Sequence, residues 1–201
     1  PPRPISSAAS DVYKRQSRMA LTYSSMLELG SSLEEFNLLD TCSGNNFSSS
    51  ELDEAKPSLI MFICNHCPYV IHYHHEIQRL AGDYAEILNM VAISSNDIEN
   101  YPQDGPDKMS ELWKDLGLSF PYLFDSTQEI AKKYKAECTP EFYLFNRSQQ
   151  LVYRGRLDES SPNSGIEPTG KDLRDAIDNL IGGKEINSNQ LPSMGCNIKW
   201  F

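Results

Sequence analysis

No stretch of this 201-residue chain approaches the roughly 18 consecutive apolar residues of a membrane-spanning helix. Cations are scarce too. Lys and Arg number 18 against 28 Asp and Glu, for a net charge of −10, which excludes the basic face that a nucleic-acid partner requires. From Met19 onward no basic segment precedes an apolar one, so no secretory signal is expected. Five cysteines, an odd number at irregular spacing, make no disulfide framework. A reducing, cytoplasmic setting is the expectation. Internal repeats and a second domain are also missing. What remains, 39% hydrophobic and 23% charged, suits one soluble globular domain.

Residues 1–18 are Pro/Ser-rich, basic and without apolar periodicity. The string Asp11 to Gln16 resembles a translated sequencing adapter, so this leader is expected to be non-native or disordered, with the natural chain starting at Met19. Setting it aside removes Arg3, Lys14, Arg15 and Arg18 but only one acid, Asp11, so the acidic excess grows. The domain is expected over 19–186, followed by a tail, 187–201, packed on or near it.

The patterning alternates strands and helices. Glu35 to Leu39, a turn from Asp40 to Asn46 and an extended restart at Phe47 predict an N-terminal β-hairpin. Leu59 to Ile63 reads as a strand buried on both faces. Val70, Tyr73, Ile77, Leu80 and Ala81 recur at helical spacing, predicting a helix from about Cys67 to Ala81. A buried strand follows over Met90 to Ser94, then a helix from Pro106 to Leu116, and one capped by Ser126 and running to about Tyr134. Strands Glu141 to Phe145 and Gln150 to Arg154 flank a turn at Asn146 to Gln149. A last helix carries Leu173, Ala176, Ile177, Leu180 and Ile181 and stops at Gly182 and Gly183. This order predicts an α/β domain: a mixed central sheet, helices on both faces and the hairpin as an extension.

The chemistry sits where the apolar strand ends. Cys64 and Cys67 form a C-x-x-C pair leading into a helix, an arrangement for thiol redox chemistry because a helix start favours the thiolate. Cys64 is expected at the helix cap as the accessible nucleophile, with Cys67 one turn inside to resolve the mixed disulfide. Helix N–H groups, the helix dipole and His66 are the three candidates for lowering the Cys64 pKa. Far along the chain, Cys138-Thr139-Pro140 opens the strand Glu141 to Phe145. A proline there donates nothing to a ladder. In a thioredoxin-like fold, which the element order also fits, a cis Thr139–Pro140 bond would face the cysteine pair. Thr139 would then hold an extended substrate by strand-like pairing.

The chain resembles a known family through Phe62-Ile63-Cys64-Asn65-His66-Cys67-Pro68-Tyr69-Val70, Ser94-Ser95-Asn96-Asp97, Tyr101-Pro102, Pro121-Tyr122-Leu123, Cys138-Thr139-Pro140, Tyr153-Arg154-Gly155-Arg156-Leu157-Asp158 and Gly195-Cys196-Asn197-Ile198-Lys199-Trp200. These are similar to the peroxiredoxin-like thioredoxin group of the alkyl hydroperoxide reductase/thiol-specific antioxidant clan. The resemblance runs from about Leu27 to Phe201 and implies a thioredoxin-like fold and a redox role. Three departures stand out. Peroxiredoxins carry P-x-x-x-T-x-x-C, but counting back from Cys64 gives Pro57 and then Met61 in place of the threonine. Thioredoxins place a tryptophan before the first cysteine and a buried acid six residues before it, where this chain has Ile63 and Ser58.

Cys138 and Cys196 are possible third redox thiols, and Cys42 is incidental. His72, His74 and His75 share a helix and read as a solvated face. Arg154 and Arg156 share one strand face, and Ser94 to Asp97 sits at the carboxyl edge of a central strand. Three functions fit these residues. The first is a thiol–disulfide oxidoreductase acting on protein or small-molecule thiols with a cellular reductant and no cofactor. The second is a thiol peroxidase reducing hydroperoxides. The third is a Cu or Zn carrier using Cys64, Cys67 and a histidine or Cys138.

Overall fold

The computed structural model describes residues 21–201, so the leader and Met19 lie outside the described residues. Its centre is strand β4 (Ser58–Phe62), every residue of which is buried. The run is wholly apolar after Ser58 because both of its faces are covered. It pairs in parallel with β5 (Asn89–Ser94) and antiparallel with β8 (Glu141–Phe145), with Phe62 opposite both Ile93 and Glu141. Adding β2 (Asn37–Asp40), β3 (Asn46–Ser48), β6 (Tyr122–Phe124) and β9 (Leu151–Gly155) gives a seven-stranded mixed sheet of order β3-β2-β6-β5-β4-β8-β9. The N-terminal hairpin β2–β3 is thus stitched onto the edge of the main sheet through β6.

Period-two alternation divides the core between the two faces. Leu59, Met61 and Ile63 point to one side, against helices α1 (Pro68–His72), α2 (His74–Tyr84), α3 (Pro106–Asp115) and α5 (Lys171–Ile181), whose Val70, Ile77, Trp113 and Ile177 share that cluster. Ile60 and Phe62 point to the other side, against Ile130 and Ala131 of α4 (Glu129–Lys133) and the segment bearing Leu33 and Phe36. The result is a thioredoxin-like layout with helices on both faces of a mixed sheet.

Three elements depart from the sequence reading. The helix expected over Cys67 to Ala81 is two helices, α1 and α2, broken at Tyr73 (φ −95°, ψ 1°). The Tyr73 side chain is buried at this break and its hydroxyl donates to the Ser160 carbonyl at 2.7 Å. Ser126 caps nothing. Helix α4 starts at Glu129 behind Gln128, which adopts φ 61° and spends its side-chain amide on the carbonyls of Ser95 and Lys199. The carboxylate that reaches the α4 backbone is Asp125, which accepts from the Ala131 N–H at 3.0 Å. Finally, the aperiodic tail contains strand β10 (Met194–Asn197). It lies between β1 (Leu21–Tyr23) and the two-residue β7 (Cys138–Thr139) in a second, three-stranded sheet.

Candidate active site

Strand β4 delivers the chain to Cys64, and Pro68, at the first helical position, fixes where α1 begins. Cys67, not Cys64, is therefore the N-cap residue. The expected placement is off by three residues for a concrete reason. The N–H groups of Asn65 and His66, which an earlier helix start would have aimed at Cys64, both donate to Asp104 Oδ1, at 2.8 and 3.2 Å. Asp104 is wholly buried in a 3₁₀ turn, Pro102–Asp104. Its Oδ2 meets His66 Nδ1 at 2.5 Å and accepts from Asn96 Nδ2 at 2.9 Å. The His66 ring stacks on Tyr101, with centroids 5.3 Å apart. Asp104 is the main residue that motif reading missed. Its only sequence signal was the Tyr101-Pro102 pair two residues ahead of it.

Opposite the motif, the Thr139–Pro140 peptide is cis. Thr139 touches both sulfurs: Cys64 Sγ lies 3.4 Å from its hydroxyl, and Cys67 Sγ donates to its carbonyl oxygen at 3.2 Å. Neither sulfur is exposed, Cys64 being 1% and Cys67 0% accessible. The expectation of an open Cys64 is corrected by this burial.

The charge distribution is corrected with it. Burial holds the Cys64 thiol well above its ordinary pKa. Its hydrogen bond to Cys67 and the negative charge of Asp104 push the same way, against a smaller lowering by the Thr139 hydroxyl. Burial also opposes ionisation of Cys67. There the balance tips downward, because the neighbouring Cys196 and Cys64 thiols, the Thr139 side chain and the Val70 N–H favour its charged form. Cys67 is thus the first of the three clustered sulfurs to lose its proton, although the Thr139 carbonyl favours its protonated form.

Of the two further cysteines, Cys196 joins this cluster. Its hydrogen bond to Cys67 and its burial raise its own pKa. Cys138 does not join it. Its Sγ turns towards Glu141 Oε2, 3.9 Å away, and burial followed by that carboxylate's charge keeps it a thiol. Cys42 is exposed in the hairpin turn.

Donor atoms of Cys64, His66 and Asp104 lie within 4.8 Å of one another, enough to consider a metal. The carboxylate, however, already accepts from two backbone N–H groups and an asparagine and contacts His66 Nδ1, while His66 Nε2 is buried without a hydrogen-bond partner and Cys64 Sγ meets the Thr139 hydroxyl. The histidines on the following helices share no site. His72 Nε2 bonds Ser160 Oγ at 2.9 Å, His75 Nδ1 bonds Gln78 at 3.0 Å, and His74 is half-buried rather than solvated. Arg154 and Arg156 are engaged elsewhere, on the Leu27 carbonyl and Gln190 and on Asp172 respectively. Ser94 to Asp97 is buried, and its Asn96 links Asp104 to the Lys199 N–H of the tail.

The tail crosses this site at very short range. A Cβ built on Gly195 would lie 2.0 Å from the Thr139 carbonyl oxygen, so only glycine lets β10 approach β7. Gly195→Ala is expected to cost roughly 2 kcal/mol, as overpacking against fixed backbone does. A urea midpoint shift at constant m would show it, and an unchanged midpoint would contradict it.

Fold and site together define a thioredoxin-fold redox protein. Residues 28–169 match the Redoxin family model, and the chain belongs to that family. Among solved structures it is similar to an uncharacterized conserved protein from Geobacillus kaustophilus, with 47% identity over 91% of this chain and 97% of that one and a TM-score of 0.88. A hypothetical protein from Sinorhizobium meliloti 1021 is 41% identical over 90% of this chain and 98% of that one, with a TM-score of 0.87. A secreted disulfide oxidoreductase from Mycobacterium tuberculosis, 17% identical over 72% of this chain and 96% of that one at a TM-score of 0.56, shares the fold. No match was found among curated proteins.

Proposed function

We propose that the protein is a thiol–disulfide oxidoreductase whose Cys64–Cys67 pair cycles between dithiol and disulfide. The observation that carries this reading is the convergence of both sulfurs on Thr139, Cys64 Sγ at its hydroxyl and Cys67 Sγ at its carbonyl. Ionisation of Cys67 supplies the charge, and transfer of the Cys64 proton to Cys67 makes Cys64 the nucleophile. Cys64 Sγ then attacks one sulfur of a substrate disulfide and expels the other half as a thiolate. Cys67 attacks Cys64 Sγ, closing the Cys64–Cys67 bond and releasing the reduced substrate. Asp104 positions His66 and the motif backbone and is itself no reactant. The partners are a disulfide or thiol of a protein or small molecule and a cellular reductant, met in a reducing, cytoplasmic compartment.

Equilibration of the full chain with excess oxidised glutathione and removal of the excess tests this. Titratable thiols should fall by two in wild type, with the bond mapped to Cys64–Cys67 or to a further exchange product of that pair. In Cys64→Ser and Cys67→Ser that bond should be missing. Wild type that retains both thiols at all glutathione ratios would sink the reading.

Hydroperoxide reduction is the weaker alternative. Met61 occupies the expected hydroxyl position and is fully buried, and the nearby arginines are bound elsewhere. Hydrogen peroxide consumption is therefore expected to be no faster than for an ordinary cysteine thiol. Rapid turnover abolished by Cys64→Ser would reverse that preference.

A further inference from the structure

We propose that strand β10 is a built-in substrate strand, and that Cys196 takes the disulfide from Cys64–Cys67 to form a Cys67–Cys196 bond. This rests on the oxidoreductase reading and adds a third thiol and a second disulfide to it.

The argument begins with what the cis-proline loop offers. Thr139 presents backbone polar groups beside the two reactive sulfurs, the arrangement by which an extended segment can be held through strand pairing. Here that place is filled by the chain itself. Strand β10 pairs antiparallel with β7, setting Cys196 directly opposite Thr139 and Asn197 opposite Cys138. A cysteine therefore stands where the sulfur of a bound substrate segment would stand. It shares one buried cluster with Cys64 and Cys67, and its nearness to Cys67 raises its own pKa.

The strand is built to stay. Gly195 permits a backbone approach that no side chain would tolerate. On its other edge β1 pairs with it, Leu21 opposite Cys196. Beyond it the Ile198 N–H bonds the Glu137 carbonyl at 3.0 Å, the Lys199 N–H donates to Asn96 Oδ1, and the Lys199 carbonyl accepts from the Asp97 N–H. An extended polypeptide has no strand-pairing place left beside Thr139 while β10 is in place.

The step balances without a further oxidant. Starting from the Cys64–Cys67 disulfide, Cys196 loses its proton and attacks Cys67 Sγ. The Cys67–Cys196 bond forms, the Cys64–Cys67 bond breaks, and Cys64 leaves as a thiolate that takes up the proton. No electrons are gained or lost. The two-electron oxidation has already been supplied by the substrate disulfide. Cys64 returns to its thiol form while the oxidising equivalent is stored on the tail.

Disulfide mapping by peptide mass spectrometry tests this on the full-length protein, oxidised with limiting oxidised glutathione and acid-quenched. Wild type should yield a Cys67–Cys196 cross-linked peptide alongside Cys64–Cys67. Cys64→Ser, which cannot form the Cys64–Cys67 bond that Cys196 attacks, should yield neither bond, and Cys196→Ser should yield Cys64–Cys67 alone. Wild type that gives Cys64–Cys67 but never Cys67–Cys196, with Cys196 alkylated throughout, overturns the inference and leaves the oxidoreductase reading intact. Cys196→Ser that folds, by circular dichroism, yet forms no Cys64–Cys67 bond overturns the oxidoreductase reading itself. Because the central measurement is made on wild type, misfolding of a variant does not decide the outcome.

Discussion

Asp104→Ala should lower folding stability by about 4 kcal/mol, more than most single substitutions in this chain. The carboxylate is completely buried and accepts from the backbone of Asn65 and His66 and from Asn96, besides contacting His66 Nδ1. Truncation leaves these donors facing an apolar gap, and each unsatisfied buried group costs roughly 1–3 kcal/mol. The motif loop loses its anchor at the same time. Asn96, freed on one side, still holds the tail through the Lys199 N–H. Urea denaturation gives the number directly. The exposed Asp115 serves as control, and its alanine variant should shift stability by no more than about 0.5 kcal/mol. A loss at Asp104 no larger than at Asp115 would mean that the carboxylate does not organise the loop. The conservative Asp104→Asn change separates charge from shape. It removes a negative charge that, after burial and the bond to Cys67, holds the Cys64 thiol up. Thiolate absorbance should therefore show a lower Cys64 pKa in Asp104→Asn than in wild type.

The sequence was most readable where burial dictates pattern. Leu59 to Ile63 had to be a central strand because five successive apolar residues need cover on both faces, and β4 has it from α2 and α3 on one side and α4 on the other. The C-x-x-C spacing and the Thr-Pro pair were equally visible, since each is local. What stayed hidden depends on tertiary partners. Helix α1 begins at Pro68 because a carboxylate some 40 residues away captures the Asn65 and His66 amides, and nothing within the motif announces that carboxylate. The tail has no period because β10 is short and pairs with two strands distant from it in sequence, β1 and β7. Gly195, visible in the sequence only as part of a family motif, is there for a backbone contact that no local propensity encodes. Ser126 was a good capping residue at the wrong place. Asp125 reached the Ala131 N–H instead, leaving Gln128 free to grip the tail.

Glu141 should make the protein lose stability as pH rises towards neutrality. It follows Pro140 on β8, is buried to 1% accessibility, and has no cation beside it. Burial raises its pKa to about 7, against the lowering effect of bonds from the Glu137 and Cys138 N–H groups and the Tyr143 hydroxyl. In the unfolded chain the same group titrates near the ordinary glutamate value of about 4.3. Between those two values the native state binds the extra proton. Its contribution is therefore complete below about pH 4.3, declines as pH rises, and is gone once pH passes about 7. The difference corresponds to roughly 4 kcal/mol, since one pKa unit is about 1.4 kcal/mol. Glu141→Gln removes the titration while keeping an oxygen for the two N–H groups and an amide that can donate to the Tyr143 oxygen. Denaturant unfolding at about pH 5 and about pH 8 should show wild type weakening by up to that amount relative to Glu141→Gln, with the variant the more stable protein at the higher pH. Parallel pH profiles for the two proteins would show that Glu141 ionises as freely as a surface carboxylate. The same profile bears on the neighbouring thiol: once Glu141 is neutral, the charge that helps hold the Cys138 pKa up is gone. Cys138 should therefore be alkylated faster, at matched pH above neutrality, in Glu141→Gln than in wild type.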